Sequence, residues 1–315
     1  MIQEGERLFY KHFILSILIY GILPGVVSFM ISPMTTFIVI LPILAILSLF
    51  HAHYLYKIIT AKHLVVKDLS DNLLVWSIIV LAIGCLFRVF FIYAFEMPLE
   101  KVLIFILAFL VILFSGRAIQ NYGFTTRRKL LDVLVGILIY IVMFAATLAP
   151  LYALLILFGA RTYFDLVIFL IGLPSMLVVG LGEEALFRGL LQRVFIEKFG
   201  YRIGIFLASF LLFALWHLVW ISEYPSLFSF TIYILAAGLL GILLGLAFEG
   251  SKGLLPVIVA HGLWDIIASS FYMSQPITEI HLTLYIVVFI ISASLYVFLL
   301  LFIRRVIRRI YEGAL

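Results

Sequence analysis

This chain is short of cysteine and of charge. Cys85 is the only cysteine in 315 residues, and it lies in an apolar run. That excludes an intrachain disulfide and a cluster of thiolate metal ligands, and leaves the thiol as a packing residue. Charged residues make up 12% of the sequence and hydrophobic ones 66%, whereas soluble domains run about a quarter charged and half apolar. A soluble core cannot absorb that much apolar surface, so a polytopic membrane protein is expected. The net charge of +5 points to neither nucleic acid nor an acidic partner, because the basic residues sit at the ends of apolar runs, where topology accounts for them. No soluble domain, low-complexity tract or repeat of about 20–50 residues is visible. Residues 1–12 are charged, and the apolar run after them has no small-residue cleavage site, which reads as a retained anchor.

What is present is a series of long apolar runs, at about 13–31, 34–56, 73–95, 99–115, 130–158, 164–190, 202–221, 226–248, 254–272 and 282–303. The loops between them alternate in charge. One side collects Arg7, Lys11, Lys57, Lys62, Lys67, Arg117, Arg127, Arg128, Lys129, Arg193, Lys198, Arg202, Lys252 and the arginines at 304, 305, 308 and 309. The other offers little beyond Lys101 and Arg161. The expectation is an all-α transmembrane bundle of about ten spans with both termini cytoplasmic. Arg88 is expected to snorkel or pair near the outer face. The polar stretch 120–129 suggests a boundary between N-terminal helices of unknown role (1–122) and a part that carries the chemistry (123–315).

Three polar constellations interrupt the later runs. The first is Glu183, Glu184 and Arg188, the second Phe213-x-x-x-His217, and the third His261-x-x-x-Asp265. Ionisable groups inside a membrane span are costly and usually functional. Glu184 and Arg188 stand four apart and can pair on one helix face, whereas Glu183 lies about 100° away and needs a different partner or a proton. The turn between the sixth and seventh runs falls near Gly200, so Glu183 and His217 are expected roughly 20–25 Å from it on facing helices. His261 enters from the same side at a similar depth. Taken singly, each group has a structural reading: an interhelical hydrogen bond for His217, a register-fixing pair for Glu184 and Arg188, mutual satisfaction for His261 and Asp265. Convergence at one level favours chemistry.

Glutamate beside histidine suits general-base activation of water against an amide carbonyl, with donors stabilising the oxyanion. No G-x-S-x-G element or H-E-x-x-H zinc helix is present, and Asp265 is the one clear membrane aspartate, which leaves an aspartyl dyad incomplete. Zinc held by Glu183, His217 and His261 is the alternative to a cofactor-free site.

The three motifs in this order, Glu183-Glu184-Ala185-Leu186-Phe187-Arg188, Phe213-Ala214-Leu215-Trp216-His217 and His261-Gly262-Leu263-Trp264-Asp265, resemble the CPBP family, also called the Abi or type II CAAX prenyl endopeptidase-like family. The resemblance covers about residues 165–272. It implies an intramembrane glutamate protease with a cavity opening toward the cytosol. Glu183 would activate water with His217 assisting, His261 and Asp265 would stabilise the oxyanion, and Glu184, Arg188 and Phe213 would support the site. Asp265 departs from the asparagine of the family pattern; an ionised aspartate cannot donate to an oxyanion. The implied substrate is a membrane-associated peptide or lipidated protein, cut at a CAAX-like C-terminus or a bacteriocin-type leader, in the plasma membrane of a prokaryote. A non-proteolytic scaffold or peptide-toxin immunity protein of the same family is the alternative. A proton-coupled transporter fits less well, since no pair of broken helices occupies matching halves.

Overall fold

An apolar run in hydrocarbon finds no water for its peptide groups, so it closes its own hydrogen bonds as a helix. The computed structural model describes residues 2–124, 128–147, 149–150, 156, 162–273 and 280–313. Its long helices are α1 (Glu4–Met30), α2 (Pro33–Lys62), α3 (Leu73–Phe95), α4 (Lys101–Phe114), α5 (Lys129–Ala146), α6 (Leu166–Phe199), α7 (Tyr201–Glu223), α8 (Leu227–Ser251), α9 (Leu254–Ser270) and α10 (Ile280–Gly313). Each falls on one of the apolar runs. Among the described residues 7 helices (α1, α2, α3, α5, α6, α7 and α8) are long and apolar enough to cross a membrane. The chain is an integral membrane protein of all-α architecture, with one short ribbon in which β1 (Thr162–Phe164) pairs antiparallel with β2 (Phe271–Met273).

α4 is unlike its neighbours. It has 14 residues, all of them buried, and at 1.5 Å per residue it is only about 21 Å long, short of the roughly 30 Å hydrocarbon core. α1, α2, α3 and α6 pack around it. One hydrophobic core runs from Phe9 through α4 to Trp216, and a second joins α5, α8, α9 and α10. Close approach between α6 and α9 uses missing side chains, as membrane helices commonly do. A Cβ on Gly262 would stand 3.0 Å from the backbone of Leu177.

Contacts sort the connections into two ends of the bundle. At one end Val66 N–H donates to Phe114 O (2.8 Å), Leu254 N–H donates to Gly123 O (3.0 Å), Lys62 pairs with Glu4 (2.7 Å) and Arg117 pairs with Glu197 (3.3 Å). At the other, the β-ribbon forms and Asp165 N–H donates to Ser270 O (2.9 Å). The described loop and helix-end lysines and arginines lie at the first end. In the other half of the bundle the described basic residues are Arg88 and Lys101, both buried. Arg127 and Arg161 lie outside the described residues.

Near the basic end a buried network ties α6, α7 and α8 together. Gln192 Nε2 donates to Glu249 Oε1 (3.0 Å) and to Gly245 O (3.1 Å), and Ser209 Oγ donates to Gln192 Oε1 (2.6 Å). Arg193 (3.0 Å) and Lys252 (2.6 Å) neutralise Glu249.

Candidate active site

α6 carries Glu183 and Glu184 about midway along its length, and both are buried. Directly after them the helix widens into π-type turns over Ala185–Gln192, a distortion common at functional sites. Gly182 admits α4 against α6, since a Cβ there would collide with the backbone of Lys101. The start of α4 therefore meets Glu183 inside the bundle.

The two oxygens of Glu183 have different surroundings. Oε1 accepts from Lys101 Nζ (2.6 Å), Trp216 Nε1 (2.9 Å) and Arg88 Nη1 (3.3 Å). Oε2 has no hydrogen-bond partner in the protein and lies 3.7 Å from His261 Nε2. Glu100 completes the charge balance through Arg88 (3.0 Å) and Lys101 (2.6 Å). Two carboxylates and two cations form a neutral quartet, without which burying any one of them would be strongly unfavourable. The cationic groups also sit over the Trp216 ring, at 4.6 Å for Arg88 and 5.0 Å for Lys101.

Glu184 has the supporting place. Its Oε1 accepts from Arg188 Nη1 (3.0 Å) and from His261 Nδ1 (2.7 Å). Arg188 Nη2 donates to Gly241 O on α8 (2.9 Å), and its guanidinium lies 4.3 Å from the centre of the Phe213 ring. Phe213 also packs on His217 (4.8 Å between centroids) and His261 (5.8 Å). Because Glu184 holds Nδ1, the Nε2 of His261 turns toward Glu183 and toward Asp265 Oδ2, 3.6 Å away. A carboxylate behind an imidazole in this way fixes its tautomer and its orientation.

His217 stands where α7 tightens from α-helical turns into a 3₁₀ turn, at φ −90°, ψ 0°, a backbone region frequent among active-site residues. Its Nδ1 donates to Phe213 O (2.8 Å), which leaves the lone pair on Nε2. Glu183, His217, His261 and Asp265 all line one cavity of about 940 Å³. Apolar and aromatic side chains, among them Phe37, Trp220, Tyr233 and Trp264, make up most of its wall. This volume is at the upper end for small-molecule pockets.

The structure thus brings together the residues named from the sequence and adds four that the sequence reading missed: Arg88, Glu100, Lys101 and Trp216. Arg88 does pair, but deep inside rather than by snorkelling, and Lys101 is a buried site residue rather than a flanking loop charge. Sequence offered one usable signal, an arginine within a span, which demands a buried partner. Among the described residues no three His, Cys, Asp or Glu side chains are grouped to hold a metal ion.

Residues 165–267, about a third of the chain, match the family model described as type II CAAX prenyl endopeptidase Rce1-like. No curated protein and no solved structure matches the chain significantly. The matched segment begins at the start of α6, ends within α9 and includes all three polar motifs. The match over residues 165–267 supports the family that the three motifs resemble.

Proposed function

We propose that this protein is an intramembrane endopeptidase in which Glu183 activates water against a peptide bond. The family match supports CAAX-type proteolysis at the level of the family. The observation that carries the reading is the split environment of Glu183: Oε1 is saturated by Lys101, Arg88 and Trp216, while Oε2 is free of protein donors beside His261. Fixing one oxygen aims the other, which is the positional restraint general-base catalysis needs.

In the proposed reaction, a water at Oε2 attacks the peptide carbonyl carbon as its proton passes to Glu183. The tetrahedral intermediate then breaks its C–N bond, and Glu183 returns that proton to the departing amine. The second water proton, left on the new carboxylic acid, is then lost to the amine, so the products are a carboxylate and an ammonium group. His217 Nε2 assists at the water. His261, as the imidazolium among the carboxylates of Glu183, Glu184 and Asp265, donates from Nε2 to the developing oxyanion, with Glu184 and Arg188 holding its ring. Asp265 stands where an amide would donate, and its place 3.6 Å from His261 Nε2 suits steering that imidazole. No cofactor takes part. The substrate is a membrane-associated peptide or lipidated protein, cleaved near a C-terminus or leader, in the plasma membrane of a prokaryote.

The decisive test compares membranes containing wild-type protein with membranes containing Glu183→Gln, by proteomic search for C-terminal fragments. Fragments present only with the wild type support the proposal, and identical fragment sets overturn it. A second reading has its own observation in its favour. The quartet of Arg88, Glu100, Lys101 and Glu183 would also serve a non-proteolytic scaffold or immunity protein, by pinning α3, α4 and α6 together. Under that reading, triple alanine replacement at Glu183, His217 and His261 leaves the cellular phenotype intact if the protein accumulates normally.

A further inference from the structure

Arg88 belongs to the apolar helix α3, and only 4% of its side chain is exposed. A guanidinium carries five N–H donors, and buried donors are nearly always paired. Here both hydrogen bonds leave from one nitrogen: Nη1 donates to Glu100 (3.0 Å) and to Glu183 (3.3 Å). Nε is buried without a partner, and Nη2 bonds to no group among the described residues. Because Arg88 lines the cavity, Nη2 holds the N–H groups left for a guest. Trp216 and Trp220 stand against the guanidinium, with ring centres 4.6 and 5.8 Å from its carbon, and restrain its plane.

Charge decides what the head of such a guest is. Lys101 reaches Glu100 and Glu183 at 2.6 Å each, closer than Arg88 does. Arg88 is therefore the less committed of the two cations, and a planar carboxylate is the acceptor its fork binds most strongly. The other carboxylates of the cavity do not take that place: Glu96 is exposed, and Asp265 faces His261 (3.6 Å). The wall decides what the body is. Ile171, Ile232, Leu239 and Trp264 are among its lining residues, and a polar body laid against them would give up water without replacement.

The geometry points to a binding site for a carboxylate that ends a long apolar chain, with the carboxylate on Arg88 and the chain along the cavity wall. Two sources carry this chemistry: a long-chain fatty acid of the bilayer and the free C-terminus of an apolar peptide. Arg88 precedes the family-matched residues 165–267, so the site is a property of this chain's own N-terminal helices. It stands without the proposed proteolysis; only a role in seating substrate rests on that reading.

The test uses the full-length protein in phosphatidylcholine nanodiscs, crosslinked to a diazirine-bearing palmitic acid and mapped by mass spectrometry. The competitors are oleic acid against methyl oleate, and an N-acetylated apolar hexapeptide as free acid against its C-terminal amide. Expected are crosslinks on cavity-lining residues, and displacement by one or both acids at least about tenfold better than by the uncharged counterpart. Arg88→Gln should remove that preference and leave displacement by methyl oleate as it was, a charge-specific change that a packing role would not produce. Displacement by oleic acid alone makes the guest a fatty acid, and by the hexapeptide acid alone a peptide terminus; either result supports the site. Equal displacement by acid and uncharged counterpart in the wild type overturns the inference, as do crosslinks confined to residues outside the cavity or an undiminished preference in Arg88→Gln. The wild-type comparison decides the matter even if Arg88→Gln fails to accumulate. If the acids are preferred while Glu183→Gln leaves fragment patterns unchanged, the protease reading fails and the carboxylate site stands.

Discussion

Glu183 and Glu249 are both buried carboxylates of this bundle, and their surroundings differ in a telling way. Glu249 near the basic end is satisfied on both oxygens, by Gln192 and Arg193 on one and by Lys252 on the other. Glu183, at mid-depth, is saturated on one oxygen and bare on the other. A fully satisfied buried network rigidifies a fold, whereas a buried polar atom without a partner needs an explanation. Oε2 of Glu100 and Oε2 of Glu184 also lack partners, but among these carboxylates only Glu183 lines the cavity.

That contrast can be broken at several points. The largest effect is expected from Glu183→Gln, which keeps the shape and removes the base; cleavage should fall by about 10²–10⁴-fold, while Glu249→Gln retains most activity in the same fragment assay. Next is Lys101→Met, which leaves Glu100 and Glu183 sharing Arg88 alone. Removing one partner of a buried ionic network costs about 3–5 kcal/mol, to be read as a lower thermal midpoint in detergent, with partial recovery in Lys101→Arg. Glu249→Ala should cost less, about 1–3 kcal/mol, because Lys252 can turn to water; activity per folded molecule should be unchanged. The smallest effect concerns Asp68, on the loop side of α3, where hydrogen bonds from Trp76 and then Asn72 hold its carboxyl below the ordinary aspartate range. Such a group stabilises the fold above its unfolded pKa of about 3.9 and loses that contribution as pH falls through its lower folded value. Asp68→Asn should flatten this acid limb of a stability profile and leave cleavage at neutral pH untouched.

Sequence made the helices and the motif residues legible because both signals are local. Apolar runs give the helices, and spacings of four give the pairs Glu184–Arg188 and His261–Asp265. Depth was also legible, since distance from the turn at Gly200 places Glu183 opposite His217. Rotational phase was not. Nothing local distinguishes Lys101 at the start of α4 from a charge that ends a span, because its partner Glu183 is 82 residues away. Trp216 read as a spacer in its motif, although a buried indole N–H requires an acceptor. The enclosure of α4 was hidden for the same reason: its composition is that of a span, and only the helices around it reveal that it is buried on every side.

The enclosure of α4 also bears on how the protein is made. Lys101 leaves the ribosome 82 residues before Glu183, an interval of roughly 4–16 s at about 5–20 residues per second. Burying its ammonium before a counter-charge is in place is unfavourable. Glu100 is its immediate neighbour and bonds both Lys101 and Arg88, so a provisional pairing can shelter the two cations during synthesis. The glutamate proposed for catalysis arrives last, into a seat that the N-terminal helices have already prepared.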